Sequence, residues 1–195
     1  MHVKYGSTPC SLDLPPERLA GVIHPSVPEP AASPEEIITT ALDACQPAIS
    51  SIRPGEKTVI ITSDITRYTG SEVYLPLLVE RLNRQGVSDG DIQILIALGI
   101  HRAQTPHEHE KILGALYGRI RVRDHDCDNQ SGLVSIGRTF NGIDVRINRA
   151  AVEAGRLILT GVIDSTILPD SEADASLSCR ASPAARPAWP ATLPC

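Results

Sequence analysis

Residues 57–70 read KTVIITSDITRYTG, and residues 91–102 read DIQILIALGIHR. Each opens with a short, nearly all-apolar run rich in β-branched side chains, the pattern of a strand buried on both faces. Each then breaks into polar residues. Between them, Ser71 to Gln85 carries Val73, Leu77, Leu78 and Leu82 at helical spacing and is closed by Gly86. Pro76 falls inside this segment and is expected in its first turn. A strand, a helix and a second strand in this order predict parallel pairing.

The alternation continues outward. Thr105-Pro106 opens another helix running to about Leu116 and ending near Gly118, and residues 120–122 form a third short strand. Residues 133–136 and 143–147 read as strands joined through Asn141-Gly142, a hairpin signal. Residues 150–154 read as a short helix and residues 157–160 as a last buried strand. Toward the amino terminus, Ser33-Pro34-Glu35-Glu36 starts a helix that reaches about Cys45. Ser33 is its N-cap, Pro34 sits in the first turn, and the acids face the positive end of the helix dipole. The expected fold class is α/β: a mostly parallel sheet with helices on both faces, a Rossmann-like three-layer arrangement. Residues 1–164 read as one domain, with residues 1–33, rich in proline, as an extended arm. Residues 165–195 differ: all 14 glycines precede them, they contain the only Trp, and they have no sustained period. They read as an irregular or disordered tail.

Composition narrows the classes of function. A chain of 195 residues with 42% hydrophobic content can bury a real core. With 18 basic against 23 acidic residues, net charge −5, it carries no basic field for nucleic acid. Aromatics at 3% leave few stacking platforms for single strands. No apolar run approaches a membrane span, and the first residues, MHVKYGSTPC, lack the apolar stretch of a signal peptide. Five scattered cysteines without a CxxC pair read as reduced thiols, which points to a cytoplasmic protein.

In parallel sheets, ligands sit beyond the carboxyl ends of the strands. After the first strand, Asp64, Thr66 and Arg67 share one turn. Arg67 can hold a carboxylate or phosphate through two hydrogen bonds. Asp64 can accept from ribose hydroxyls or orient a neighbour. The plainer alternative is an Asp/Thr cap with Arg67 in a surface ion pair. After the second strand, Gly99 permits close approach and His101 can act as acid or base near neutral pH. The plainer alternative is a half-buried imidazole on a backbone carbonyl. His107 and His109 in HEHE, with Asp124-His125-Asp126-Cys127-Asp128, suggest metal ligands. Residues two apart on a helix do not face one another, however, and the second cluster lacks calcium-loop and zinc-finger spacing. A solvated helix face and a polar loop are the expected readings, with no metal ligand assigned. Cys127 has no adjacent base and is not read as a nucleophile.

Four stretches, SDITRYTG at 63–70, LGIHRAQTP at 98–106, RDHDCD at 123–128 and INRAAVEAGRLILTG at 147–161, together resemble the N-terminal domain of the nickel-dependent lactate racemase family. The resemblance runs from about Tyr5 to Asp164. It implies racemisation or epimerisation of a small 2-hydroxy acid such as lactate, with a nickel pincer nucleotide as cofactor. That cofactor takes hydride from the carbinol carbon and returns it to either face, while two histidines shuttle the hydroxyl proton. By this resemblance His101 is one of those histidines and Arg67 holds the substrate carboxylate. Asp64 and Thr66 line the cofactor and substrate cleft.

The resemblance stops after LTGVID. The family continues with a second catalytic His, a Gly-Gly-Arg-Lys segment whose Lys joins the cofactor, a nickel-binding His and a C-terminal domain. Here no His or Lys follows Asp164. Synonymous codons for Thr166 to Ala185, read in another frame, can spell HPARLGGGRKPILPGIAG, which contains the GGRK text. A frameshift near residue 165 is therefore expected. Resequencing the locus tests it, and an intact frame without that alternate text removes it. The chain as written is expected to be inactive alone, for want of the second His, the Lys and the nickel ligand, and to leave apolar interdomain surface bare. Two other classes stay open: a non-catalytic module binding a hydroxy acid or nucleotide, and a plain metal-binding protein built on the histidine clusters.

Overall fold

The computed structural model describes residues 2–6, 8–21 and 30–161. The predicted tail at 165–195 lies outside them. The chain divides into two compact units, Met1–Ser33 and Pro34–Cys195.

The first unit is more structured than an extended arm. β1 (His2–Tyr5) and β2 (Thr8–Ser11) form an antiparallel hairpin in which His2 pairs with Ser11 and Tyr5 with Thr8. Gly6, at φ +64, takes the left-handed conformation that begins the connection. A single 3₁₀ turn follows at Pro16–Arg18.

The second unit opens with α1 (Pro34–Ala44), where Glu35 and Glu36 occupy the first turn, and α2 (Gln46–Ile49). Then come β3 (Thr58–Ser63), α3 (Ser71–Arg84), β4 (Ile92–Ala97), α4 (Pro106–Leu113) and β5 (Arg121–Asp124). β6 (Leu133–Arg138) and β7 (Asp144–Asn148) form a separate antiparallel hairpin. α5 (Arg149–Val152) and β8 (Arg156–Leu159) complete the described chain. The main sheet has the order β5-β4-β3-β8, with every pair parallel. This is an α/β fold, as the alternation of elements predicts.

Strand side chains alternate between faces, so each strand feeds two cores. On one face Ile60, Ile94 and Ile96 pack against Leu75, Leu78, Val79 and Leu82 of α3 and Ile112 and Leu113 of α4. On the other, Val59, Ile61, Leu95 and Ala97 are covered by Ala151, Ile147 and Ala154. That second layer is thin: a four-residue helix and a hairpin.

Three expectations need correction. The buried stripe of α3 is Leu75, Leu78, Val79 and Leu82, while Val73 and Leu77 are only half-buried. Leu78 and Leu82 of the expected stripe are buried, and the sheet adds Leu75 and Val79 to them rather than Val73 and Leu77. Pro76 is the sixth residue of α3 rather than part of its first turn. It leaves the Glu72 carbonyl without a helical donor. Gly114 lies against that carbonyl, and a Cβ there would come within 3.0 Å of the oxygen. Finally, β8 is not a buried strand. It pairs only with β3 among the described residues, and Leu157 and Leu159 remain 45% and 48% exposed. Among the described residues, no helix is long and apolar enough to cross a membrane.

Candidate active site at the carboxyl ends of the strands

β3 and β4 are adjacent, parallel and in register, with Ser63 opposite Ala97. The loops that leave them therefore emerge side by side. Asp64 caps the 3₁₀ turn Ile65–Arg67. Its Oδ1 accepts from the Thr66 backbone N–H at 2.9 Å, the Thr66 hydroxyl at 2.6 Å and the Arg67 backbone N–H at 3.2 Å. Its Oδ2 accepts from His101 Nδ1 at 2.5 Å. Asp64 is 2% exposed, so its carboxylate faces inward and its capacity is filled by the turn and the imidazole.

A carboxylate partner at Nδ1 places the ring proton there and leaves Nε2 with a lone pair. The His101 ring is about half exposed, at 48%. Gly99, at φ +58, supplies the left-handed turn that brings His101 round, and the His101 N–H closes it onto the Leu98 carbonyl at 2.9 Å. Thr66 and Arg67 are exposed at the rim. Asp64, Thr66, His101 and the Arg67 backbone thus meet in one place.

The loop after β4 is braced further along. Arg102 makes two hydrogen bonds to Glu108, at 2.7 and 2.8 Å, and Glu108 closes a capping box with Thr105 at the start of α4. The Arg102 guanidinium, helped by the Thr105 backbone N–H, holds the Glu108 carboxyl down to about 2. A carboxylate with a depressed native pKa contributes stability above its ordinary value of 4.5, and loses it as pH falls toward about 2. Acid titration followed by amide exchange is expected to loosen the start of α4 across that window. Glu108→Gln should flatten the effect.

Sequence reasoning missed several partners. His109 is not on a solvated face: its side chain is 20% exposed, and its Nε2 meets Asp124 Oδ1 at 2.8 Å. His107, by contrast, is 88% exposed. Gln104, for which no signal existed, is buried among the loops. His125 is 2% exposed on the opposite face of the sheet. Asn148 Oδ1 accepts from Ala150 N–H, so its Nδ2 donates to His125 Nδ1 at 3.0 Å. The proton is then on Nε2, which has no partner among the described residues. Burial lowers the His125 pKa from 6.5, and nearby Asp126 opposes this only in part. The unfolded chain therefore binds a proton at higher pH than the native one, and stability falls as pH drops below about 6.5. Thermal unfolding from pH 7.5 to 5.5 should show this loss, and His125→Gln should reduce it. Among the described residues, no three His, Cys, Asp or Glu side chains stand close enough to hold a metal ion.

Residues 5–168 match the model of the lactate racemase N-terminal domain. The chain is 32% identical over 174 residues to the lactate racemase of Thermoanaerobacterium thermosaccharolyticum, covering 84% of this chain and 40% of that protein. It is 39% identical over 112 residues to the lactate racemase of Lactiplantibacillus plantarum, covering 55% of this chain and 25% of that one. The solved structure of the Thermoanaerobacterium lactate racemase apoprotein superimposes with a TM-score of 0.63 at 33% identity, over 80% of this chain and 37% of that one. The chain thus spans at most about two fifths of the length of these relatives. Through that N-terminal domain, the chain belongs to the lactate racemase family.

Proposed function

We propose that this chain supplies the proton-transfer and carboxylate-binding side of a 2-hydroxy-acid racemase or epimerase, with lactate as the simplest substrate. The observation that supports this most is His101 held through Nδ1 by Asp64, on the turn that also carries Arg67. In this reading Nε2 of His101 takes the substrate hydroxyl proton and gives it back, since Asp64 at Nδ1 leaves its lone pair facing outward from that bond. Arg67 holds the substrate carboxylate through a charge-assisted pair. Asp64 fixes the tautomer, and Thr66 lines the cleft beside it.

The family relationship brings a nickel pincer nucleotide, which when bound supplies the hydride chemistry at the carbinol carbon. In the family the nucleotide carries the nickel, with a Lys and a nickel-binding His that belong to segments beyond the one matched here, and among the described residues no group of three His, Cys, Asp or Glu side chains offers a separate metal site. Nickel would have to be held elsewhere, by residues of the family's remaining length. A partner carrying that C-terminal part is accordingly proposed, and half-exposed Leu157 and Leu159 are compatible with a surface it would cover. A cytoplasmic setting is proposed with it, in keeping with the free thiols Cys10 and Cys45.

Calorimetry with lactate tests the reading. Weak binding is expected, and Arg67→Ala should lower it about 10- to 100-fold, the range of a lost charge-assisted pair. Absence of binding, or binding indifferent to Arg67, would count against the proposal. The isolated chain supplied with the pincer nucleotide is expected to give no racemisation; measurable turnover would overturn that expectation.

A further inference from the structure

The chain segments that leave β3, β4 and β5 meet beyond their carboxyl ends, and one buried residue bonds to the other two, through its side chain on one side and its backbone on the other. Gln104, in the β4 loop, is 9% exposed. Its Oε1 accepts the backbone N–H of Ile65 at 3.2 Å. Its own backbone N–H donates to Asp124 Oδ2 at 2.8 Å. The other oxygen of Asp124 is engaged by His109 Nε2 at 2.8 Å. The HEHE and DHDCD segments, neither of which the proposed reaction uses, are thereby joined by a single hydrogen bond.

The consequence is geometric. Ile65 directly follows Asp64, and Gln104 lies three residues after His101. The two loops are therefore tied twice, His101 to Asp64 and Gln104 to Ile65. One tie alone leaves a hinge; two fix the relative orientation of the turn and the imidazole. We infer that Gln104 and Asp124 are positioning residues for this site: His109 orients Asp124, Asp124 sets Gln104, and Gln104 sets the turn from which Asp64 holds His101. The inference rests on the reading of Arg67 and His101 as the substrate-binding pair. The physical need is plain, because a site that transfers protons loses rate when its base drifts by a fraction of an ångström.

The test uses the full chain and nuclear magnetic resonance. Gln104→Leu removes the acceptor, and Gln104→Glu restores an oxygen in its place. Gln104→Leu is expected to speed amide exchange at Ile65 about tenfold, the scale of one net hydrogen bond. It should also weaken the downfield proton resonance of His101 Nδ1. Gln104→Glu should return both, with the core amides of Ile94 and Ile96 unmoved throughout. Should Gln104→Leu not fold, Asp124→Ala, which removes the acceptor of the Gln104 N–H, should produce the same two changes in the same direction. Unaltered Ile65 exchange and His101 resonance would overturn the inference. So would equal acceleration at Ile94 and Ile96, which would mean a merely structural role. Both readouts come from the unliganded chain, so failure to bind lactate leaves them independent.

Discussion

Replacing Asp64 by Ala is expected to lower the unfolding free energy by about 2–4 kcal/mol and to release the His101 ring. Asp64 is 2% exposed, so the change also opens a small buried void. The carboxylate accepts two backbone N–H groups and one hydroxyl in its own turn and the imidazole across the loop. Removing it leaves the Thr66 N–H without that acceptor, while the Arg67 N–H retains the Asp64 carbonyl at 3.1 Å. Asp64→Asn separates the two roles. The amide oxygen keeps the cap, but an amide nitrogen facing Nδ1–H would put two donors together. The imidazole is then expected to switch tautomer, moving its proton to Nε2 and removing the lone pair the proposed reaction needs. Nitrogen-15 shifts of the His101 ring read the switch, and chemical denaturation reads the cap. An Asp64→Asn protein whose ring keeps Nδ1–H would show that Asp64 does not set the tautomer.

Ile94→Ala is the second large effect, a loss of about 2–5 kcal/mol. Ile94 is 0% exposed at the centre of β4, between β3 and β5, and packs in the cluster beneath α3 and α4. Truncation removes apolar contacts and leaves a cavity that neighbours on a central strand cannot fill by collapse. Leu159→Ala provides the contrast. Leu159 is 48% exposed on β8 and should cost under about 1 kcal/mol. Equal losses at the two positions would contradict the half-exposed setting of Leu159.

Much of the frame was legible because its signals are local. The runs at 57–62 and 91–98 centre on Val59-Ile60-Ile61 and Ile94-Leu95-Ile96, apolar and mostly β-branched, the pattern of a buried strand. The start of α4 was legible because Thr105, Pro106 and Glu108 supply the cap, the fixed φ and the capping-box acid within one turn. The face of α3 was legible in part: Leu78 and Leu82 are buried as expected, while the sheet takes Leu75 and Val79 in place of Val73 and Leu77. The hairpin at residues 2–11 was not, because short polar strands carry little alternation.

For the candidate site the division is similar. Asp64, Thr66, Arg67 and His101 could be singled out as candidates because each follows a strand, where parallel sheets bind ligands. Gln104, and the pairing of His109 with Asp124, were not, because a hydrogen bond between residues 15 positions apart leaves no mark on spacing.

The sequence by itself determined the order of the main-sheet strands and the helices between them, and the α/β class, since these depend on neighbours along the chain; it also marked the two loops proposed here as the site. Tertiary structure alone decided which oxygen of Asp64 meets which nitrogen of His101, that β8 pairs only with β3 among the described residues, and that three loops are tied through Gln104. Those outcomes depend on the register of parallel strands, and register is set by the fit of whole layers rather than by any one segment.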